Sequence, residues 1–72
     1  MKKRIAVVED DKSIRRGLVD ALTFAGYDVI EAADGKEGMR VAVRVGYDML
    51  LLDLVLPGAS GMEILAAVRT SR

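Results

Sequence analysis

The 72-residue chain has no cysteine, no histidine and only one proline, Pro57. Without cysteine there are no disulfides and no thiolate metal sites, a composition that fits a reducing cytoplasm. Without histidine the chain has no imidazole general base, and any phosphohistidine chemistry must be supplied by another protein. It also lacks an excess charge of either sign. Eleven basic residues balance eleven acidic ones, so bulk charge draws the chain neither to nucleic acid nor to an anionic membrane. Long apolar runs are missing too. In the leading MKKRIAVVEDD the apolar stretch is only Ile5 to Val8, too short for a signal-peptide core or a membrane span. No linker or low-complexity segment divides the chain, and its length suits one small domain, residues 1–72.

Against that background Asp53 stands out. It lies inside the run MLLLDLVLPG, where Met49 to Leu56 read as a strand buried on both faces. A carboxylate in such a place must sit at an open strand end, meet a cation, or both, because burying an unpaired charge is costly. Upstream, IAVVEDD has the same design, an apolar strand running into Glu9, Asp10 and Asp11. Two strands that end in carboxylates suggest one acidic pocket.

Three apolar runs, Ile5–Val8, Val29–Ala32 and Met49–Leu56, each precede a helical pattern. The first helix is predicted from Asp10 or Asp11, with Ile14, Leu18, Ala21, Leu22 and Ala25 on one stripe and Gly26 as its left-handed stop. The second is predicted from Asp34, with Met39, Ala42 and Val43 inward. The third opens on Ser60, where SGME is a capping box, and turns Ile64, Leu65 and Val68 inward. Gly26-Tyr27-Asp28 and Gly46-Tyr47-Asp48 repeat 20 residues apart, each between a helix and a strand, where the tyrosines cover strand edges. A β-α-β-α-β-α series predicts an α/β fold: three parallel strands in order 2-1-3 with helices on both faces. The first helix then covers one face and the other two cover the opposite face. The crevice where such sheets bind ligands opens between the carboxyl ends of strands 1 and 3, and Glu9, Asp10 and Asp53 fall there.

Three converging carboxylates repel one another, and a divalent cation relieves that repulsion. With oxygen ligands alone Mg²⁺ fits best, with Mn²⁺ and Ca²⁺ as alternatives. A carboxylate beside such an ion can attack phosphorus in line and form an acyl phosphate. Asp53, alone at its strand end, is the natural nucleophile, and Glu9 and Asp10 are the metal holders. Asp11 is assigned to helix capping or solvent.

VVEDD, the apolar strand into Asp53, and DLVLPGASG together resemble the receiver domain of two-component response regulators, a truncated flavodoxin-like (CheY-like) fold in this chain. The resemblance includes Pro57 four residues after Asp53 and Gly61 eight after it. It implies that Asp53 is the phosphoacceptor, that Glu9, Asp10, Asp53 and the backbone carbonyl of Val55 hold Mg²⁺, and that a sensor histidine kinase donates the phosphoryl group. The chain is then not an enzyme in its own right, and DNA binding belongs to an output domain of a parent protein.

The family has five strand–helix units, and the chain matches the first three. The resemblance therefore implies an N-terminal part of a receiver, without the hydroxyl residue of strand 4 or the lysine of strand 5. Lys2, Lys3, Lys12 and Lys36 all precede Asp53. Strand 3 is expected to present an open edge and one bare face, and the chain to self-associate, for instance as a two-fold homodimer. The alternative function is accordingly a half-domain, a fragment or designed module, whose activity is self-association alone. A flavodoxin-like mononucleotide binder fits poorly, since VVEDDKS puts carboxylates where a phosphate cradle needs bare N–H groups.

Overall fold

The three predicted strand–helix units fold as β1 (Arg4–Val8), α1 (Lys12–Phe24), β2 (Asp28–Ala32), α2 (Gly35–Arg44), β3 (Met49–Leu52) and α3 (Gly61–Ser71). This computed structural model describes residues 2–44 (backbone alone at Arg44), 46–54, 58 and 60–71. All strand pairs are parallel and the sheet order is β2-β1-β3.

Each helix starts where a short polar side chain can satisfy a free amide of the first turn. The Ile14 N–H donates to Asp11 Oδ1 at 2.9 Å. The Glu37 N–H donates to Asp34 Oδ1 at 2.8 Å, and the Glu63 N–H to Ser60 Oγ at 3.2 Å. At the far end of α1, Gly26 takes φ +101°. The Gly26 and Tyr27 amides then reach back to the carbonyls of Thr23 and Leu22 at 3.0 and 3.1 Å, the paired closure of a left-handed helix stop.

Alternation along the strands sorts the side chains between the two faces. Ala6, Val8 and Ala32 pack with Val41 and Ala42 of α2 and Ile64 of α3 in a dry core, joined by Ile30, Leu50 and Leu52. Helix α1 lies on the other face against β1 and β2. Tyr47 covers the core's lower end and donates its hydroxyl to the Ala42 carbonyl at 2.8 Å. Tyr27 is more exposed, beside Ile5 and Leu22.

The structure corrects three details of the sequence reading. β3 runs only over Met49–Leu52, with Asp53 and Leu54 already past its end, and it is only half-buried, with Met49 54% exposed, not a strand buried on both faces. It is an edge strand of the described sheet, and α1 lies over β1 and β2 instead of over it. On α1 the inward stripe is Arg15, Leu18, Val19 and Leu22, whereas Ile14, Ala21 and Ala25 face solvent. The spacing of that stripe is i, i+3, i+4, i+7, turned by one residue from the purely apolar choice. On α2 Ala42 is fully buried as expected, and so is Val41, which the sequence pattern did not single out, while Met39 and Val43 are only partly covered. Val55 and Pro57, named in the sequence reading, lie outside the described residues.

Candidate functional site

Two strand ends and one helix start build the acidic cluster. In the β1–β3 register Val8 pairs with Leu52, so the next residue of each strand, Glu9 and Asp53, are neighbours across the sheet. The backbone keeps that pairing past the strand ends. The Asp53 N–H donates to the Val8 carbonyl at 3.0 Å, and the Glu9 N–H donates to the Ala32 carbonyl of β2 at 3.1 Å. Asp10 follows in the turn into α1. Carboxylate oxygens of Glu9, Asp10 and Asp53 consequently all lie within 4.8 Å of one another, about the spacing of adjacent strands. Glu9 and Asp53 are partly buried and Asp10 is exposed. Asp11 points elsewhere, capping α1, while its N–H donates to Glu9 Oε2 at 3.1 Å.

The electrostatics follow from that crowding. The Asp11 amide favours ionised Glu9, but partial loss of water and the nearby Asp10 and Asp53 carboxyls outweigh it. Glu9 therefore titrates above the ordinary glutamate range. A carboxylate whose charge is disfavoured by lost water and by neighbouring anions is one that a cation would relieve. The donors are all hard oxygens, which suits a magnesium-like ion keeping several waters. The residues present fit such an ion.

Two further residues shape the site. A Cβ on Gly61, the first residue of α3, would overlap the Asp53 carbonyl oxygen and the Leu54 Cα. Only glycine lets the helix start abut the backbone that carries Asp53. The Gly61 N–H also donates to the Leu54 carbonyl at 3.2 Å, tying α3 to the same segment. The spacing of Gly61 from Asp53 is visible in the sequence, but this close approach is not, and neither is the place of Arg15 beside the site. Arg15 Nη1 donates to the carbonyls of Glu9 at 2.9 Å and Asp10 at 3.4 Å, and its Nε pairs with Glu31 Oε1 at 3.2 Å. Its place four residues after Asp11, in the stripe with Leu18 and Leu22, is the sequence signal that could have found it.

With this geometry in view, residues 5–72 match the response regulator receiver domain family. The transcriptional regulatory protein YrkP of Bacillus subtilis is 44% identical over 71 residues, which are 99% of this chain and 30% of that protein. The alkaline phosphatase synthesis transcriptional regulatory protein PhoP of the same organism is 39% identical over 72 residues, again 30% of its length. This chain thus spans about a third of the curated relatives it matches. Among solved structures, a CheY-like receiver domain protein from Methanospirillum hungatei superposes with TM-score 0.93 at 33% identity, covering 100% of this chain and 58% of that one. The response regulator TrrA of Thermotoga maritima, solved in complex with Mg²⁺ and beryllofluoride, superposes with TM-score 0.89 at 36% identity, covering 100% and 62%. TrrA has also been solved in complex with the histidine kinase ThkA. The chain belongs to the response regulator receiver domain family, consistent with a place in two-component signalling.

Proposed function

We propose that the chain is the phosphoacceptor part of a receiver, taking a phosphoryl group on Asp53 from a histidine of a sensor kinase. The observation that carries this reading is the convergence of the Glu9, Asp10 and Asp53 carboxylates within 4.8 Å at the carboxyl end of the sheet. Asp53, one residue past β3, is the nucleophile. A carboxylate oxygen bonds to phosphorus as the phosphorus–nitrogen bond to the donor imidazole breaks, and that nitrogen keeps the electron pair. Glu9, Asp10 and Asp53, with the Val55 carbonyl, would hold Mg²⁺. When bound, the ion supplies the charge that offsets repulsion between carboxylates and phosphoryl oxygens. The chain's own residues position the reaction: the β1–β3 register sets Glu9 beside Asp53, and Gly61 lets α3 press on the Asp53 backbone. The kinase partner implies a cytoplasmic location. DNA binding would belong to an output domain of a longer protein, as the transcriptional relatives suggest.

Acetyl phosphate or beryllofluoride with Mg²⁺ tests the reading by intact mass and amide NMR. A phosphoryl mass increment, and Mg²⁺-dependent shifts at Asp10 and Asp53, are expected in the wild type and not in Asp53→Asn. A wild-type chain that neither gains mass nor shifts with Mg²⁺ would refute it.

A second reading, self-association, is favoured by β3. It is the edge of the described sheet, it is only partly buried, and Met49 and Leu54 beside it are 54% and 52% exposed. Such an edge pairs readily with another strand, so light scattering on dilution should report a homodimer. A stable monomer would exclude this reading. Among the described residues no helix is long and apolar enough to cross a membrane.

A further inference from the structure

Arg15 and Arg16 are adjacent on α1, yet the structure uses them differently. Arg16 is 78% exposed and, among the described residues, reaches only Asp20, one turn along the same helix, at 3.7 Å. Arg15 is 15% exposed. It belongs to the sheet-facing stripe of α1, and its guanidinium spans three partners. One amine donates to the Glu9 carbonyl at 2.9 Å and, more weakly, to the Asp10 carbonyl at 3.4 Å. The Nε pairs with Glu31 of β2 at 3.2 Å. Strand alternation accounts for Glu31: Ile30 and Ala32 turn to the α2–α3 core, so Glu31 between them turns to α1. The two carbonyls belong to the residues whose side chains form the acidic cluster with Asp53.

We propose that Arg15 is a positioning residue for the acidic site, its planar fork clamping the Glu9–Asp10 backbone so that both carboxylates are held toward Asp53. This inference rests on the reading of the cluster as a cation site. The fork suits the task because it can donate to a carbonyl and a carboxylate at once in fixed geometry, which a lysine cannot. Its anchor at Glu31 ties the turn to β2, on the side of β1 away from Asp53. The turn is therefore fixed from both sides, by the Asp53 N–H to Val8 on one and by Arg15 and the Glu9 N–H to Ala32 on the other.

Electrostatics and positioning predict opposite signs for loss of Arg15, which makes the test decisive. Removing a positive charge from the turn that carries the acidic cluster would by itself favour binding of a cation. Removing the clamp loosens two of the three carboxylate ligands and weakens it, by about tenfold if it acts like other supports behind metal ligands. The measurement is Mg²⁺ affinity of the full chain by amide NMR titration, with urea unfolding monitored in parallel. Arg15→Met should bind Mg²⁺ about tenfold more weakly than wild type. Arg15→Lys, which keeps the charge on a single donor nitrogen without the planar fork, should recover part of the loss. Glu31→Gln keeps an oxygen acceptor for the Arg15 Nε and leaves the carbonyl contacts in place, so it should stay close to wild type. An Arg15→Met chain that binds as tightly as wild type, or more tightly, overturns the proposal. So does a Glu31→Gln loss equal to that of Arg15→Met. If Arg15→Met does not fold, Arg15→Lys decides, and an unchanged affinity in that variant also overturns it. Failure of the wild type to bind Mg²⁺ at all would refute the cation-site reading, and with it this inference. A binding wild type with an indifferent Arg15 refutes the inference alone.

Discussion

Replacing Gly61 by alanine joins the packing of α3 to the site in one substitution. The new Cβ would overlap the Asp53 carbonyl oxygen and the Leu54 Cα, and would lie 3.0 Å from the Asp53 carbonyl carbon. These are backbone atoms, so no rotamer change relieves the clash, and either α3 or the Asp53 segment must move. Overpacking of this kind costs about 1–3 kcal/mol, and the backbone contact puts it at the upper end. Against that, alanine gains at most about 1 kcal/mol of helix propensity over glycine. The net is a destabilisation of about 1–2 kcal/mol. At about 4–8 °C per kcal/mol for a domain of this size, the midpoint should fall by about 5–15 °C. Gly17→Ala is the control, because nothing lies within 4 Å of a Cβ there. It should stabilise α1 by up to about 1 kcal/mol. Circular dichroism melts and urea titrations of both variants give the comparison, and Mg²⁺ affinity should fall in Gly61→Ala but not in Gly17→Ala. If Gly61→Ala melts with or above wild type, α3 does not press on the Asp53 backbone as described.

Other substitutions and conditions test different parts of the fold. Ile64 is fully buried between α3 and the sheet, so Ile64→Ala should cost about 2–5 kcal/mol in urea unfolding; a loss below 1 kcal/mol, roughly the scale of a surface change, would show that α3 is not docked there. Asp34→Ala removes the acceptor of the Glu37 N–H and should cost about 1 kcal/mol, with Asp34→Asn retaining most of the stability; equal losses in the two would rule out a capping role. Because Glu9 titrates above an ordinary glutamate in the fold, the folded state holds its proton more tightly than the unfolded state. Its contribution is therefore fully present below the unfolded value and is lost as pH rises through the folded one. Without added cation, Glu9→Gln should then be more stable than wild type near neutral pH, and the gap should close as pH falls through the glutamate range. A gap that widens on acidification would contradict the assigned repulsion.

The sheet order and the meeting of Glu9, Asp10 and Asp53 were legible in the sequence because both rest on short-range rules. Strand–helix alternation, caps at Asp11, Asp34 and Ser60, and a charge at the end of each apolar run leave few topologies for so short a chain. Failures came where an apolar residue was assumed to face inward. Ile14 looked like core and is exposed, whereas Arg15 next to it faces the sheet, because carbonyls and a strand carboxylate were waiting there for its donors. A long amphipathic side chain can bury its stem and still satisfy its head, so hydropathy alone cannot rank Arg15 against Ile14. The extent of β3 was overread for a related reason: MLLLDLVL is apolar throughout, but continuous apolar sequence marks a strand buried on both faces only when neighbours cover both, and here it lies at the edge of the described sheet.

Chemistry along the chain was thus enough to establish the three repeating units, their parallel arrangement and the acids at their ends, since caps and periodicity mark each element and right-handed crossovers restrict how the units can join. The three-dimensional fold alone established which of two adjacent arginines reaches the Glu9 and Asp10 carbonyls, why Gly61 must have no side chain, and that Glu9 is pushed toward its protonated form. Those depend on exact distances between packed backbone and side-chain atoms, which periodicity does not encode. Such distances arise only when the sheet register and the docking of α1 and α3 are set together.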